Sequence, residues 1–295
     1  MDTDSLKDEK DLALLQEIEE KVIRQVDLGF SFEALQILDR EDAAKNQIED
    51  LRGMLGPGIV TRLFGLGNSF YYGRLRAGKF TNFSEVVLRL GMEPSKIYIL
   101  ALSLFFQNPH QDFRVLAARS FLISSLGRML AAQMGWKEEE IRKVELGGLF
   151  LKIGKVFMLL YEHKQKTKLE ESFVSRCYPY LTLRVVDFFK LPEFLKELLS
   201  FSLFRLDETS FSLASIIDLA HSTIDKSFKR HGKFIIQSPM PDSDGIVIGS
   251  LGSILTSQME ALGLGSYVEV LPFLSPKQQA FRSKKMQDQH ERSLY

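Results

Sequence analysis

The densest set of groups able to do chemistry in this chain is Asp218, His221 and Asp225, within SIIDLAHSTIDKSF. Their spacing of i, i+3 and i+7 places all three on one face of a helix. Two carboxylates and an imidazole on one face could ligate a divalent metal. The same face could equally be solvated or tied up in salt bridges. The other histidines, His110, His163, His231 and His290, are isolated in sequence, and the strip from Phe113 to Val186 contains no aspartate. No metal and no cofactor is expected from these residues.

Other reactive patterns fail on their context. GLGNSFYYG (65–73) and GLGSYVEV (263–270) contain glycines, but no strand precedes them and no lysine-serine pair follows, so neither makes a phosphate-binding loop. The single cysteine, Cys177 in SRCYPY, has no histidine in its segment and reads as a small, semi-buried residue. It can form no internal disulfide. The basic run RSKKMQDQHER (282–292) is of mixed sign, and the chain's formal net charge is zero, so no field directs it to nucleic acid or anionic lipid.

One apolar stretch does pose a chemical question. GGLFLKIGKVFMLLYE (147–162) carries Lys152 and Lys155 in its middle, three apart and so on a shared face. Such lysines could snorkel to the edge on their aliphatic stems. Lys152 could instead pair with a buried carboxylate, Asp218 or Asp187. As a third option, Arg119, Lys152 and His221 could hold a phosphate-bearing ligand.

The elements positioning these groups read as helices, since apolar residues recur at spacings of three and four. Residues 1–26 form a first helix, weakly patterned through Leu12, Leu15, Glu19, Val22 and Val26, that is either packed on the rest or a connector. Helices are predicted over about 31–38, 40–51 and from Pro57 to about Asn68. Two more are separated by Gly91 and end at Asn108-Pro109. A long amphipathic helix covers 113–134, and one continuous helix runs from the acidic KEEE (137–140) through Lys152 and Lys155. Further helices follow at about 173–189, 192–202 and 213–229. KFIIQSPMPDSDGIVIGS (233–250) reads as a loop, and a last helix as running from Ile246 to Leu262. The tail from 263 is expected to fray. The class is all-α: a bundle over 27–262, with lobes at about 27–108 and 109–262, and an extension at 263–295. Hydrophobic content of 45%, the acidic start MDTDSLKDEKD and apolar runs of about half a membrane span point to a cytoplasmic protein.

The order of these segments resembles the bacterial HDOD family, helical signalling-output domains related to the HD superfamily of metal-dependent phosphohydrolases. The resemblance rests on Asn68, Ser69, Tyr71, Tyr72 and Gly73, similar to the family's Asn-Ser-x-Tyr-Tyr-Gly. It continues through the Leu90-Gly91 turn, FRVLAARSFLISSLGRMLAAQMG, and KEEEIRKVELGGLFLKIGK, which is similar to a helix ending Gly-Leu-Leu-His-Asp-Ile-Gly-Lys and keeps Gly154 and Lys155. LTLRVVDFFKLPEFLKELLSF follows, and together these span roughly Ser31 to Lys229.

By that resemblance the metal ligands of HD enzymes fall on Arg119, on Leu151 and Lys152, on Tyr178 and around Ser202-Leu203, and on His221. Of these only His221 can bind a metal, and Arg119 and Lys152 bring two cations instead. The resemblance therefore implies a bundle with an HD-like fold and a degenerate pocket, acting as a non-catalytic signalling module. It would bind a protein partner in trans or a small phosphate-bearing ligand, with no nucleic acid and no membrane. A metal-dependent phosphohydrolase of nucleotides or cyclic dinucleotides and a nucleotide-binding pseudoenzyme are the alternatives.

Overall fold

The computed structural model describes residues 9–28, 30, 32–40, 42–68, 80–204, 212–225, 228–230, 233–238 and 249–272. Ser69, Tyr71, Tyr72 and Gly73 lie outside them.

Helices α1 (Glu9–Lys21), α2 (Lys45–Met54), α3 (Pro57–Gly67), α4 (Phe83–Leu90) and α5 (Met92–Phe106) make up the first part, with a 3-10 turn at Phe32–Asp39. Pro57 sits at the N-terminal edge of α3, where its missing N–H costs nothing. Gly91, at φ 96, lets the chain end α4 and begin α5 within a single residue. The second part comprises α6 (Gln111–Gln133), α7 (Glu138–Phe150), α8 (Ile153–Gln165), α9 (Glu171–Phe188), α10 (Glu193–Phe204) and α11 (Leu213–Asp225). The all-α class therefore holds. Helix α6 is the central post, packed by α5, α7, α8 and α11. It is long and apolar enough to cross a membrane by length and composition, but 78% of its apolar window is buried within the fold.

Helix α1 is packed: Leu15 and Ile18 are fully buried, Arg176 of α9 donates to Asp11 at 2.9 Å, and Arg184 of α9 pairs with Glu19. Tyr161 of α8 adds a hydroxyl bond to Glu17 at 2.9 Å.

Three expectations about the C-terminal region are corrected. The segment read as a loop contains strand β2 (Lys233–Ser238), which pairs antiparallel with β1 (Phe228–Arg230) and parallel with β3 (Val268–Pro272). The helix expected to reach residue 229 ends at Asp225 for the same reason, and the start of the tail forms a 3-10 turn (Gly265–Tyr267) and strand β3. Local pattern could not show this, because β2 has one of its partners some thirty residues downstream and a strand that short is specified by its pairing. Helix α12 (Gly249–Ala261) packs across both parts. Arg62 of α3 donates to the Leu262 carbonyl at 3.0 Å, and Ser125 of α6 donates to Gln258 at 2.7 Å.

A buried polar chain fixes α5, α6 and α7 to one another. Glu145, 1% exposed, accepts from Tyr98 at 2.5 Å and from Arg128 at 2.7 Å, and Arg128 also reaches Glu138 at 2.8 Å. Each charge is thus paired where it is desolvated.

Candidate functional site

The continuous helix expected through Lys152 is two helices. Helix α7 stops at Phe150, Leu151 and Lys152 form a corner, and α8 begins at Ile153. Lys152 adopts φ −111 and ψ 12, outside helical geometry, and the Lys155 N–H closes a short bond onto its carbonyl at 3.0 Å. Gly154 accounts for the turn. A Cβ there would lie 2.4 Å from the Tyr178 carbonyl oxygen and 2.8 Å from the Thr182 nitrogen, so only glycine lets α8 reach α9 this closely. Its N–H donates to the Thr182 hydroxyl at 3.1 Å, which locks the contact.

The corner turns Lys152 inward. Its residue is 3% exposed, which removes the snorkelling option. Its ammonium donates to the Tyr178 hydroxyl at 2.9 Å and sits 4.6 Å from the centre of that ring. Lys155, partly buried, lies 4.6 Å from the same ring centre. Burial pushes the Lys152 ammonium down from 10.5 to about 7, and the charges of Lys155 and Arg119 add to the effect against the opposing pull of Asp225 and Asp218.

Neither proposed carboxylate partner forms an ion pair with Lys152 among the described residues. Asp187 is bound to Lys196 at 2.7 Å on the surface, and Asp218 acts on Lys152 through its charge. The central carboxylate is Asp225, which takes Arg119 of α6 on one oxygen and His221 Nε2 at 3.0 Å on the other. Burial alone would raise its pKa. The hydrogen bonds and charges of His221 and Arg119 outweigh that and hold it well below the usual carboxylate range. The Asp218–His221–Asp225 face is therefore a salt-bridged one at Asp225. Its i, i+4 spacing from His221 was a legible signal, whereas its Arg119 contact joins two helices and was not.

These groups flank a cavity of 640 Å³ walled by the α7–α8 corner, α9, α10 and α11. Of the residues singled out in the sequence, Leu151, Tyr178, Ser202, Leu203, Asp218 and His221 line it. Ser175, Pro179, Ser222 and Asp225 line it too and were not singled out as pocket residues. Pro179 lies inside α9 and cannot donate to the carbonyl of Ser175 one turn back. Lys152 lies behind Tyr178. Arg119 and Lys155 line a second, smaller cavity of 170 Å³, largely apolar, between α6, α8 and α9.

Asn68 is not in the pocket. Its side chain accepts from the Phe80 N–H at 2.7 Å and donates to the Phe80 carbonyl at 3.3 Å, clasping together the two ends of segment 69–79. Cys177 is fully buried in the core.

A model of the HDOD domain matches residues 30–180. No curated protein matches the chain. Among solved structures, a candidate metal-dependent phosphohydrolase from Shewanella amazonensis SB2B superposes with a TM-score of 0.56 at 16% identity, over 71% of this chain and 80% of its own. An HDOD domain protein of unknown function from Geobacter sulfurreducens gives 0.50 at 16% identity, over 87% and 89%. A candidate phosphohydrolase from Shewanella amazonensis SB2B gives 0.50 at 16% identity, over 86% and 96%. At such identities the likeness is one of fold. With the family model spanning residues 30–180, more than half of the sequence, the chain belongs to the HDOD domain family.

Proposed function

We propose that this protein is a non-catalytic regulatory module, whose output is binding and whose pocket at the α7–α8 corner accepts a phosphate-bearing small ligand. The observation that carries the reading is the pair of cations, Arg119 and Lys152, standing where the resemblance puts metal ligands. Arg119 already holds Asp225, the carboxylate a metal would have to recruit, and Lys152 is buried beside it. A divalent ion placed there would meet the fixed charge of Arg119 and deprotonate or repel the Lys152 ammonium, with His221, Asp218 and an engaged Asp225 as its donors. These residues do not fit a resident metal.

The same charges suit an anion. An oxyanion at the Tyr178 hydroxyl would gain a charge-assisted bond and return Lys152 to its charged form. Partner docking in trans belongs to the same reading, since a module without turnover acts through what it binds.

The test is a thermal-shift and calorimetric screen of the full chain against inorganic phosphate, nucleotides and cyclic dinucleotides. Metal analysis and phosphodiesterase assays with manganese, nickel and magnesium run beside it. A melting temperature raised by a phosphate-bearing compound, and no longer raised in Lys152→Met, supports the reading. Stoichiometric metal with turnover abolished by His221→Ala overturns it.

A further inference from the structure

Away from this pocket, His110, Asp112 and His163 converge on the surface where the start of α6 meets the end of α8. One ligand atom from each, a histidine nitrogen or a carboxylate oxygen, lies within 4.8 Å of the others. His110 is the N-cap of α6, and its Nδ1 faces the Asp112 N–H at a long 3.4 Å. That same nitrogen is 3.5 Å from Asp112 Oδ2. An unprotonated nitrogen and a carboxylate repel at this distance, and either a proton on His110 or a metal ion between them turns the contact favourable. The spacing is also that of two ligands on one zinc, roughly 3.4 Å apart for bonds of about 2.1 Å at a tetrahedral angle. His163, in the last turn of α8, brings its ring to 4.6 Å from that of His110 and is backed by Phe113 at 5.4 Å. Two imidazoles and one carboxylate, with open positions left for water, suit a borderline transition-metal ion and not magnesium or calcium.

We infer that His110, Asp112 and His163 form a surface site for a zinc-type divalent ion that staples the N-terminus of α6 to the C-terminus of α8. Asp112 also lines the 170 Å³ cavity that Arg119 and Lys155 share, so occupancy fixes one wall of that cavity. The site is independent of the degenerate pocket and of the reading proposed for it.

The untagged full chain, stripped with chelator, is titrated with Zn²⁺ by calorimetry and with Co²⁺ by visible absorbance. One equivalent of metal, with affinity at least about tenfold weaker in His163→Ala and in Asp112→Asn, is expected. All three side chains are exposed, so these variants retain the fold, checked by circular dichroism. His221→Ala binds as the parent does. No saturable binding, or binding unchanged in His163→Ala, overturns the site. Metal lost in His221→Ala but kept in His163→Ala would place the ion in the pocket, overturning this inference and the metal-free reading together.

Discussion

Replacing Lys152 with methionine is expected to stabilise the protein, and the gain is expected to vanish at high pH. The folded state holds the ammonium near pKa 7, whereas the unfolded chain restores it to 10.5. Between those values the unfolded state binds more protons, so stability rises with pH through the window and the penalty is fully present below pH 7. At about 1.4 kcal/mol per unit, the full penalty is roughly 5 kcal/mol, about 4 at pH 7.5 and under about 1 at pH 10. Methionine matches the apolar stem but forfeits the 2.9 Å bond to Tyr178, worth about 1 kcal/mol. The net expectation is a gain of about 3 kcal/mol at pH 7.5 and near equality at pH 10. Urea denaturation of both proteins across pH 7 to 10 reads this directly, and the difference cancels other groups that titrate in both. A variant less stable than the parent at pH 7.5, or a difference that does not shrink with pH, refutes the reasoning. A lysine retained at such a cost is one kept for what it binds.

Gly154→Ala should cost more than about 3 kcal/mol, since a methyl 2.4 Å from a backbone oxygen forces α8 off α9; thermal unfolding measures it. Glu145→Gln leaves Arg128 buried against a neutral amide and should cost about 3 kcal/mol or more by urea denaturation, while removing the exposed Glu139 partner of Lys143 should leave the urea midpoint unchanged. Anion binding at Tyr178 should take up a fraction of a proton at pH 8, visible as a calorimetric enthalpy that changes with buffer ionisation heat and becomes buffer-independent in Lys152→Met.

Several features were legible from local pattern. Helical periodicity, the Gly91 break and Pro57 placed most of α3 through α6 within a few residues of where they lie, since each depends on contacts three or four residues away. The order of segments also singled out Leu151, Tyr178 and His221, which the fold brings to the wall of the 640 Å³ cavity together with Asp218. What was missed lies at longer range. The corner at Leu151-Lys152 has no proline to announce it; it exists because Gly154 meets the Tyr178 carbonyl of another helix. Strand β2 read as loop because its pairing with Val268–Pro272 is set by the return of the chain.

The amino-acid sequence alone determined the helical class, the family pattern and the presence of cations at the matched positions 119 and 152, because charge and hydrophobic period are properties of residues in order. Only the tertiary structure decided which charges meet. Lys152 found the Tyr178 hydroxyl instead of Asp187 or Asp218, and Arg119 found Asp225 across two helices. His110, Asp112 and His163 came together from separate elements in the same way. Partner choice between side chains depends on distances set by packing, and packing is a property of the whole chain.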